Sequence, residues 1–253
     1  MAKPRVAFFE FTSCEGCQLT VVDSLQDHPE LLDVVDIVQF REAISERDDN
    51  YQIAFIEGSC SRPSDEAKLQ AIREQAGLVV ALGACAHLGG VNAIRNRQPL
   101  DDVRQYVYGD KADWYETYPA RPISAVIKVD AVIPGCPIDR KEFVRAVTHL
   151  LQGRAPYIPD NPVCIECKLK GNVCVYQRGM TCLGPITLGG CDAICPTYGE
   201  GCDGCRGLIS NPNLASLKNV LAERGLTEAD IEARMTLFLT YQKMEMEAAH
   251  GGD

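Results

Sequence analysis

Short apolar runs recur along the first 150 residues and are separated by longer stretches of mixed polarity. The runs are rich in Val, Ile and Phe and contain few polar residues, which is typical of strands that are buried on both faces. This pattern predicts five strands, at residues 5–10, 34–39, 53–57, 78–83 and 131–134.

Two of the stretches between the runs have the periodicity of amphipathic helices. Residues 63–76 and 139–151 each place apolar side chains on one helical face and charged side chains on the other. Strands that alternate with helices predict an α/β fold, with a parallel sheet that has helices on both faces. Residues 95–125, which include the single Trp114, have no clear pattern, and we make no prediction for them.

A change in composition divides the chain. Residues 153–162 contain three prolines and one glycine, as linkers often do, so we expect domains at 1–155 and 156–253. The second domain is expected to be mostly irregular. Its end, residues 206–253, has apolar positions at helical spacing, which predicts one or two amphipathic helices. Such helices serve either to dock a partner or to pack on their own domain.

The charge and the apolar content of the chain argue against two classes of function and indicate its location. The net charge of −10 argues against nucleic-acid binding. No apolar stretch is long enough to span a membrane. The N-terminal residues contain neither a long apolar segment nor a twin-arginine signal, so we expect a cytoplasmic protein.

The most informative number is the count of 13 cysteines. An odd number cannot pair completely, and a chain with 46% hydrophobic residues does not need disulfides to fold. Metal ligation is therefore the better explanation. Five cysteines are dispersed over the first part, and eight lie close together in the second: Cys14, Cys17, Cys60, Cys85 and Cys136, then Cys164, Cys167, Cys174, Cys182, Cys191, Cys195, Cys202 and Cys205.

Each of the five dispersed cysteines follows the carboxyl end of a predicted strand. These ends lie along one edge of a parallel sheet, where such folds place their sites, so the cysteines should converge in space. A single cysteine in such a loop is often only a small buried apolar residue. That explanation is weaker for four of them together, and we expect one metal site formed by Cys14, Cys17, Cys85 and Cys136.

The eight later cysteines fall into two runs of four. Their spacings are Cys164-x2-Cys167-x6-Cys174-x7-Cys182 and Cys191-x3-Cys195, followed by Cys202-x2-Cys205. A CxxC unit can ligate either zinc or an iron–sulfur cluster. Each run contains only one such unit and wider remaining spacings, which favours a cluster because a cubane is larger than one zinc ion. Zinc stays open from the spacing alone.

Several motifs together resemble the small subunit of [NiFe] hydrogenases, and the resemblance covers nearly the whole chain. It is greatest for the cytoplasmic sulfhydrogenase delta-subunit type, and the small subunits of hydrogenases linked to heterodisulfide reductase are similar too. The motifs are Phe-Thr-Ser-Cys-Glu-Gly-Cys-Gln at 11–18, Ile-Glu-Gly-Ser at 56–59, Gly-Ala-Cys-Ala at 83–86, Pro-Gly-Cys-Pro at 134–137, Cys-Leu-Gly-Pro at 182–185, Gly-Cys at 190–191, Cys-Pro at 195–196 and Cys-x2-Cys-Arg-Gly at 202–207.

The resemblance implies a flavodoxin-like N-terminal domain and three [4Fe-4S] clusters that relay electrons. It implies a proximal cluster at Cys14, Cys17, Cys85 and Cys136, a medial cluster at Cys191, Cys195, Cys202 and Cys205, and a distal cluster at Cys164, Cys167, Cys174 and Cys182. The nickel–iron site would belong to a large subunit. The electron acceptor would be another subunit, linked to flavin and NAD(P), to ferredoxin or to heterodisulfide reductase.

The sequence departs from the family pattern at three cysteines. Cys164 stands where periplasmic members have a histidine, and Cys195 stands where they have a proline, so all-cysteine distal and medial sites are expected. Cys60 stands where the family has an apolar residue, and we expect it near the proximal cluster. Glu57 and Glu15 are expected either near that cluster, with a role in a proton route, or in ordinary structural roles.

Two other functions remain open from the sequence. One is a zinc-stabilised interaction module. The other is the cluster subunit of a respiratory quinone-reducing complex, which shares the N-terminal fold. That subunit has an adjacent Cys-Cys pair and a single cluster, whereas this chain has no Cys-Cys pair and eight additional cysteines.

Overall fold

A parallel sheet of five strands forms the centre of the first part. The computed structural model describes residues 3–250, so the outer ends of both predicted domains, at 1–2 and 251–253, lie outside the described residues. The strand order is β2-β1-β3-β4-β5, which is the flavodoxin-like order and agrees with the predicted α/β class. The strands are β1 (Arg5–Glu10), β2 (Asp36–Gln39), β3 (Ile53–Glu57), β4 (Leu78–Leu82) and β5 (Ala131–Ile133).

Helices cover both faces of this sheet. One face packs Val21 of the first helix and Phe143 of the sixth against Phe8 and Phe55. The other face packs Leu69 of the third helix against the remaining strand residues. The helices of the first part are α1 (Gly16–Asp27), α2 (Leu31–Val34), α3 (Pro63–Gln75), α4 (Gly83–Leu88), α5 (Leu100–Tyr108) and α6 (Arg140–Leu151).

The second strand is shorter than the sequence predicts. The apolar run at 34–39 begins inside α2, whose last residue is Val34. The strand itself has only the four residues from Asp36 onward, and three of them pair with β1. The long register between β1 and β3, by contrast, aligns Phe8 with Phe55 in the middle of the sheet. The bounds of the central strands therefore follow from continuous burial. The start of the edge strand β2 follows from the end of the helix that precedes it.

The second part has little regular structure until its last 40 residues. Its helices are α7 (Val163–Leu169), α8 (Ile194–Thr197), α9 (Leu214–Glu223), α10 (Glu228–Thr236) and α11 (Thr240–His250). Up to residue 250, the end of the chain contains three helices instead of one or two. Asn213 and Thr227 cap the starts of α9 and α10 with a side-chain oxygen, and α11 begins separately at Thr240. Within residues 3–250, no helix has the length and apolar character that a membrane span requires.

Candidate metal centres

The first group of thiols lies at the carboxyl edge of the sheet, where β1, β4 and β5 end. Burial raises the pKa of Cys85 to about 12, and the nearby charges of Cys136 and Cys14 contribute to the rise. Burial also raises the pKa of Cys17, again with contributions from Cys136 and Cys85. The segments that carry these thiols also touch: the backbone N–H of Ala84 donates to the carbonyl of Gly135 at 2.7 Å, and Gly83 lies against the Cys17 sulfur. This first group consists of Cys14, Cys17, Cys85 and Cys136.

Glycines allow the backbone to approach these sulfurs closely. A Cβ on Gly83 would collide with the Cys17 sulfur, and Gly83 also has a φ of +81°, which other residues rarely adopt. A Cβ on Gly90 would lie 3.0 Å from the Cys85 sulfur. Backbone that approaches sulfur without side chains in between is what an iron–sulfur site needs for amide contacts. The residues present therefore fit a cluster.

Glu57 lies directly behind the first group, at the end of β3. It is 2% exposed, and its two carboxylate oxygens accept hydrogen bonds from the backbone N–H groups of Cys17 (3.2 Å) and Gln18 (2.9 Å). The carboxylate thus caps the N-terminus of α1, where the helix dipole favours a negative charge. Burial raises the pKa of Glu57, and the two backbone hydrogen bonds oppose that rise.

Glu15 has a different environment. Its side chain is half-buried and accepts a hydrogen bond from the guanidinium of Arg41 at 2.9 Å. Its backbone has a φ of 64°, in the turn between Cys14 and Cys17. The structure thus brings Glu57 to the first group directly and places Glu15 in an ion pair at the surface of the same turn. The proton-route role of either residue stays a prediction.

Cys60 is fully buried and has a hydrogen-bond partner of its own. Its sulfur lies 2.9 Å from the hydroxyl of Tyr118, which also accepts a hydrogen bond from Arg121 at 2.9 Å. The backbone N–H and carbonyl of Cys60 pair with Arg121 as well. Burial raises the pKa of Cys60, and the hydrogen bond to Tyr118 opposes the rise. Its nearness to a cluster stays a prediction.

Another set of four thiols lies around the start of α7. The Cys182 sulfur accepts hydrogen bonds from the backbone N–H groups of Gly184 (3.3 Å) and Cys202 (3.2 Å). Burial raises the pKa of Cys164 to about 11, with contributions from the charges of Cys182, Cys167 and Cys174. We call these four the third group: Cys164, Cys167, Cys174 and Cys182.

The remaining four thiols lie between the other two groups. Burial raises the pKa of Cys205 to about 12, with contributions from the charges of Cys191, Cys136 and Cys195. Burial raises the pKa of Cys202 too, and the charges of Cys182 and Cys205 contribute. We call these the second group: Cys191, Cys195, Cys202 and Cys205.

The three groups form a continuous series. Arg206, which follows Cys205 of the second group, donates to the carbonyl of Pro134 beside the first group at 2.9 Å, and the backbone N–H of Cys202 donates to the sulfur of Cys182 in the third. The second group is therefore the middle one, although the third group precedes it in the sequence.

The donor set of each group is all thiol. Soft sulfur ligands suit zinc and iron–sulfur clusters alike, so the donors alone do not separate the two. Within residues 3–250, no three His, Cys, Asp or Glu side chains are close enough together to hold a single metal ion. The glycine-lined approach to the sulfurs is the feature that fits a cluster best.

Sequence reasoning missed two charged residues beside the second group. Arg206 and Glu142 form an ion pair in which each side chain is only 1% exposed. Burial lowers the pKa of Arg206, but its hydrogen bonds with Glu142 and the negative charges nearby outweigh burial and raise it overall. Arg206 follows a cysteine in one of the motifs, which was the only available signal.

Comparison with known proteins gives a consistent family. Residues 14–150 match the model of the NADH ubiquinone oxidoreductase, 20 Kd subunit family. The sulfhydrogenase 2 subunit delta of Pyrococcus furiosus is 33% identical over 236 residues, which cover 92% of this chain and 98% of that protein. A subunit of the F420-non-reducing hydrogenase of Methanocaldococcus jannaschii is 30% identical, with 92% of each chain covered.

A solved structure agrees with these relatives. A chain in the crystal structure of an NAD+-reducing [NiFe]-hydrogenase matches with a TM-score of 0.57 and 27% identity, covering 62% of this chain and 96% of that one. The resemblance to [NiFe] hydrogenase small subunits is thereby confirmed. Two relatives that match over 92% of this chain are hydrogenase subunits, and the chain itself belongs to the NADH ubiquinone oxidoreductase, 20 Kd subunit family.

Proposed function

We propose that this chain is the electron-transfer small subunit of a [NiFe] hydrogenase complex and that it holds three [4Fe-4S] clusters. The first group would ligate the proximal cluster, the second group the medial cluster and the third group the distal cluster. The observation that carries the proposal is the succession of three four-thiol groups, whose segments are joined by the hydrogen bond from Arg206 to Pro134 and by that from the backbone of Cys202 to the sulfur of Cys182.

A relay explains why one chain would hold three sites. A structural metal site needs only four ligands, whereas 12 of the 13 cysteines of this chain would be ligands in three groups of four. When bound, each cluster would accept one electron and pass it on. The protein's part is to fix the positions of the thiols and to keep water away from the inner group, in which Cys202 is buried.

The exposed thiols at the two ends support an assignment of partners. Cys14 and Cys136 of the first group are exposed, so we expect the large subunit with its nickel–iron site to cover them. Cys174 of the third group is exposed as well, so we expect the electron-accepting subunit there. That subunit would be linked to flavin and NAD(P), to ferredoxin or to heterodisulfide reductase, and identification of the co-purifying subunits distinguishes these.

The domain division follows the same logic. The proximal cluster would belong to the flavodoxin-like domain at 1–155, and the other two clusters to the domain at 156–253. The cytoplasmic location expected from the sequence stays a prediction.

Metal analysis of the anaerobically purified chain tests the cluster count. Three four-iron clusters require about twelve iron atoms and as many sulfides per chain, with no nickel. A colourless protein with stoichiometric zinc would support the zinc-stabilised module instead. About four iron atoms would support the respiratory cluster subunit, which the name of the matching family favours for residues 14–150. The Cys60→Ser variant is the matched control, because it removes a thiol outside the three groups.

Activity of the complete complex tests the relay. Replacement of Cys202 by Ala should remove the medial cluster and strongly reduce electron transfer to the natural acceptor. Hydrogen–deuterium exchange needs only the nickel–iron site and should fall far less. Equal losses in both reactions, in a complex that is assembled and otherwise fully metallated, would show that the chain is not the relay.

A further inference from the structure

One buried guanidinium joins the cysteine segments of the first and second groups. Arg206 donates from Nη1 to the carbonyl of Pro134 at 2.9 Å and from Nε to the carbonyl of Gly189 at 2.8 Å. Pro134 lies two residues before Cys136, and Gly189 lies two residues before Cys191. Arg206 itself follows Cys205. Three segments that each carry a thiol are therefore held by one side chain.

Glu142 of α6 fixes the orientation of this guanidinium. Its two carboxylate oxygens accept hydrogen bonds from Nη1 and Nη2 of Arg206, each at 2.8 Å. Both side chains are 1% exposed, so water does not compete for these contacts. The planar fork of arginine can make this bidentate pair and also reach two carbonyls, whereas a lysine ammonium cannot reproduce that geometry.

The backbone passes directly over the ion pair. Gly190 has a φ of +112°, and a Cβ at this position would collide with Nη2 of Arg206 and lie 2.6 Å from a carboxylate oxygen of Glu142. Gly190 also immediately precedes Cys191. The segment that carries the Cys191 thiol therefore packs directly on the ion pair and cannot move closer to it.

We propose that Arg206, held by Glu142, is a positioning residue that fixes the separation between the proximal and medial clusters. The proposal rests on the proposed function, because it requires clusters at the first and second groups. A single electron would move between these clusters with no bond made or broken, so the gap between them controls the rate. Movement of either segment away from the pair would leave a buried charge without its partner, which is costly, so the pair favours one arrangement of these segments.

The test uses the Arg206→Lys variant in the complete complex. Magnetic coupling between two reduced clusters falls steeply with their separation and appears as splitting in the EPR spectrum. We expect an unchanged iron content, a loss of splitting between the proximal and medial clusters, and slower electron transfer to the acceptor. Splitting between the medial and distal clusters serves as the internal reference, because Arg206 has no hydrogen bond to the third group.

Arg73→Lys provides the matched control. Arg73 also binds backbone carbonyls, those of Lys128, Ala76 and Gly77, and pairs with Asp130, but it lies away from the cysteines. This variant should leave the EPR splitting unchanged. Retention of the wild-type splitting in Arg206→Lys would overturn the proposal, and so would an equal loss in Arg73→Lys.

A second variant decides the outcome if Arg206→Lys fails to bind all its iron. Glu142→Gln keeps the guanidinium and its two carbonyl contacts but weakens the bidentate pair. A reduced splitting in this variant, with full iron content, supports the proposal, and unchanged splitting overturns it. If the unmodified complex itself lacks three clusters, the proposed function fails, which separates that failure from failure of the positioning role.

Discussion

The two parts of this chain bring thiols together in opposite ways. In the first part, Cys14 and Cys136 are far apart in sequence, and a regular parallel sheet places them at one edge. In the second part, eight thiols lie close in sequence, but the segment from 163 to 208 contains only short helices and turns. A regular sheet can bring together ligands that are far apart in the sequence. A segment without regular structure can do so only for ligands that are near one another in the sequence.

The cores of the two parts differ accordingly. The sheet is packed on both faces by aliphatic and aromatic side chains such as Phe55 and Leu69, which need no metal. The small core beside the third group consists of Val163, Val175 and Ala193 with Cys182 and Cys202. Cys17 also lies in the core that contains Phe55, but there it is one of many aliphatic and aromatic members. We infer that the first part is stable without clusters and that the segment from 163 to 208 depends on them, because metal binding is coupled to folding where ligands form the core.

Removal of iron should give the largest difference between the two parts. Chelation should leave the β1, β3 and β4 amides protected from hydrogen exchange, because their burial is independent of the clusters. The opening free energies for residues 163–208 should fall towards about 0 kcal/mol. Exchange monitored by mass spectrometry, before and after chelation, measures both. Equal protection of the two parts in the iron-free chain would contradict the inference.

The pair that connects the two parts should give the next largest effect. Replacement of Glu142 by Ala leaves the guanidinium of Arg206 buried without its counter-charge, which should cost about 3–5 kcal/mol of unfolding free energy. Urea denaturation of the chain measures the loss. Asp101→Ala is the control, since the Asp101 side chain is 93% exposed and its pair with Arg104 should contribute little. Similar losses in both variants would show that burial of the pair is not decisive.

Two glycines that lie against cysteine sulfurs allow single sites in the two parts to be compared. In the first part, Gly83→Ala should cost about 1–3 kcal/mol because of its positive φ, and should displace the Cys17 sulfur. In the second part, Gly184→Ala places a Cβ 3.2 Å from the Cys182 sulfur at a position without a positive φ, so a shift of the Cys182 side chain by a few tenths of an ångström relieves the contact. We therefore expect Gly83→Ala to lose proximal iron and Gly184→Ala to retain distal iron. The reverse pattern in iron analysis and EPR would contradict this.

Much of the sheet could be predicted because a short apolar run in the sequence marks each buried strand. The bounds of β1 and β3 coincide with the apolar runs at 5–10 and 53–57, since these strands are continuously buried. The helix α5 could not be predicted, because none of its residues is buried. Leu100, Val103 and Val107 share one face of α5, but that face is not buried in the core, and Tyr106 is 91% exposed.

The candidate site divides in the same way. The cysteines are recognisable in the sequence because their spacing and their positions at strand ends have few alternative explanations. The pair of Glu142 and Arg206 is not, because its members are 64 positions apart and resemble ordinary surface charges. The partnership of Cys60 with Tyr118 likewise depends on the folded chain bringing together residues 58 positions apart.

The smallest effect we predict concerns Cys60, the cysteine outside the three groups. Replacement by Ala removes its hydrogen bond to Tyr118, whose hydroxyl keeps the contact with Arg121, so the cost should be about 1 kcal/mol. Iron content should not change.

The pH dependence of this loss gives a sharper test. Burial raises the pKa of Cys60 above its ordinary value of 9.0, so the unfolded chain releases this proton at lower pH than the folded chain does. The stabilisation from the retained proton is therefore complete below the ordinary value and is lost as the pH rises through the raised one. The unfolding free energy of Cys60→Ala should accordingly fall less steeply with pH above 9.0 than that of the unmodified chain. Parallel curves from urea denaturation across that range would mean that Cys60 ionises as readily in the folded chain as in the unfolded one.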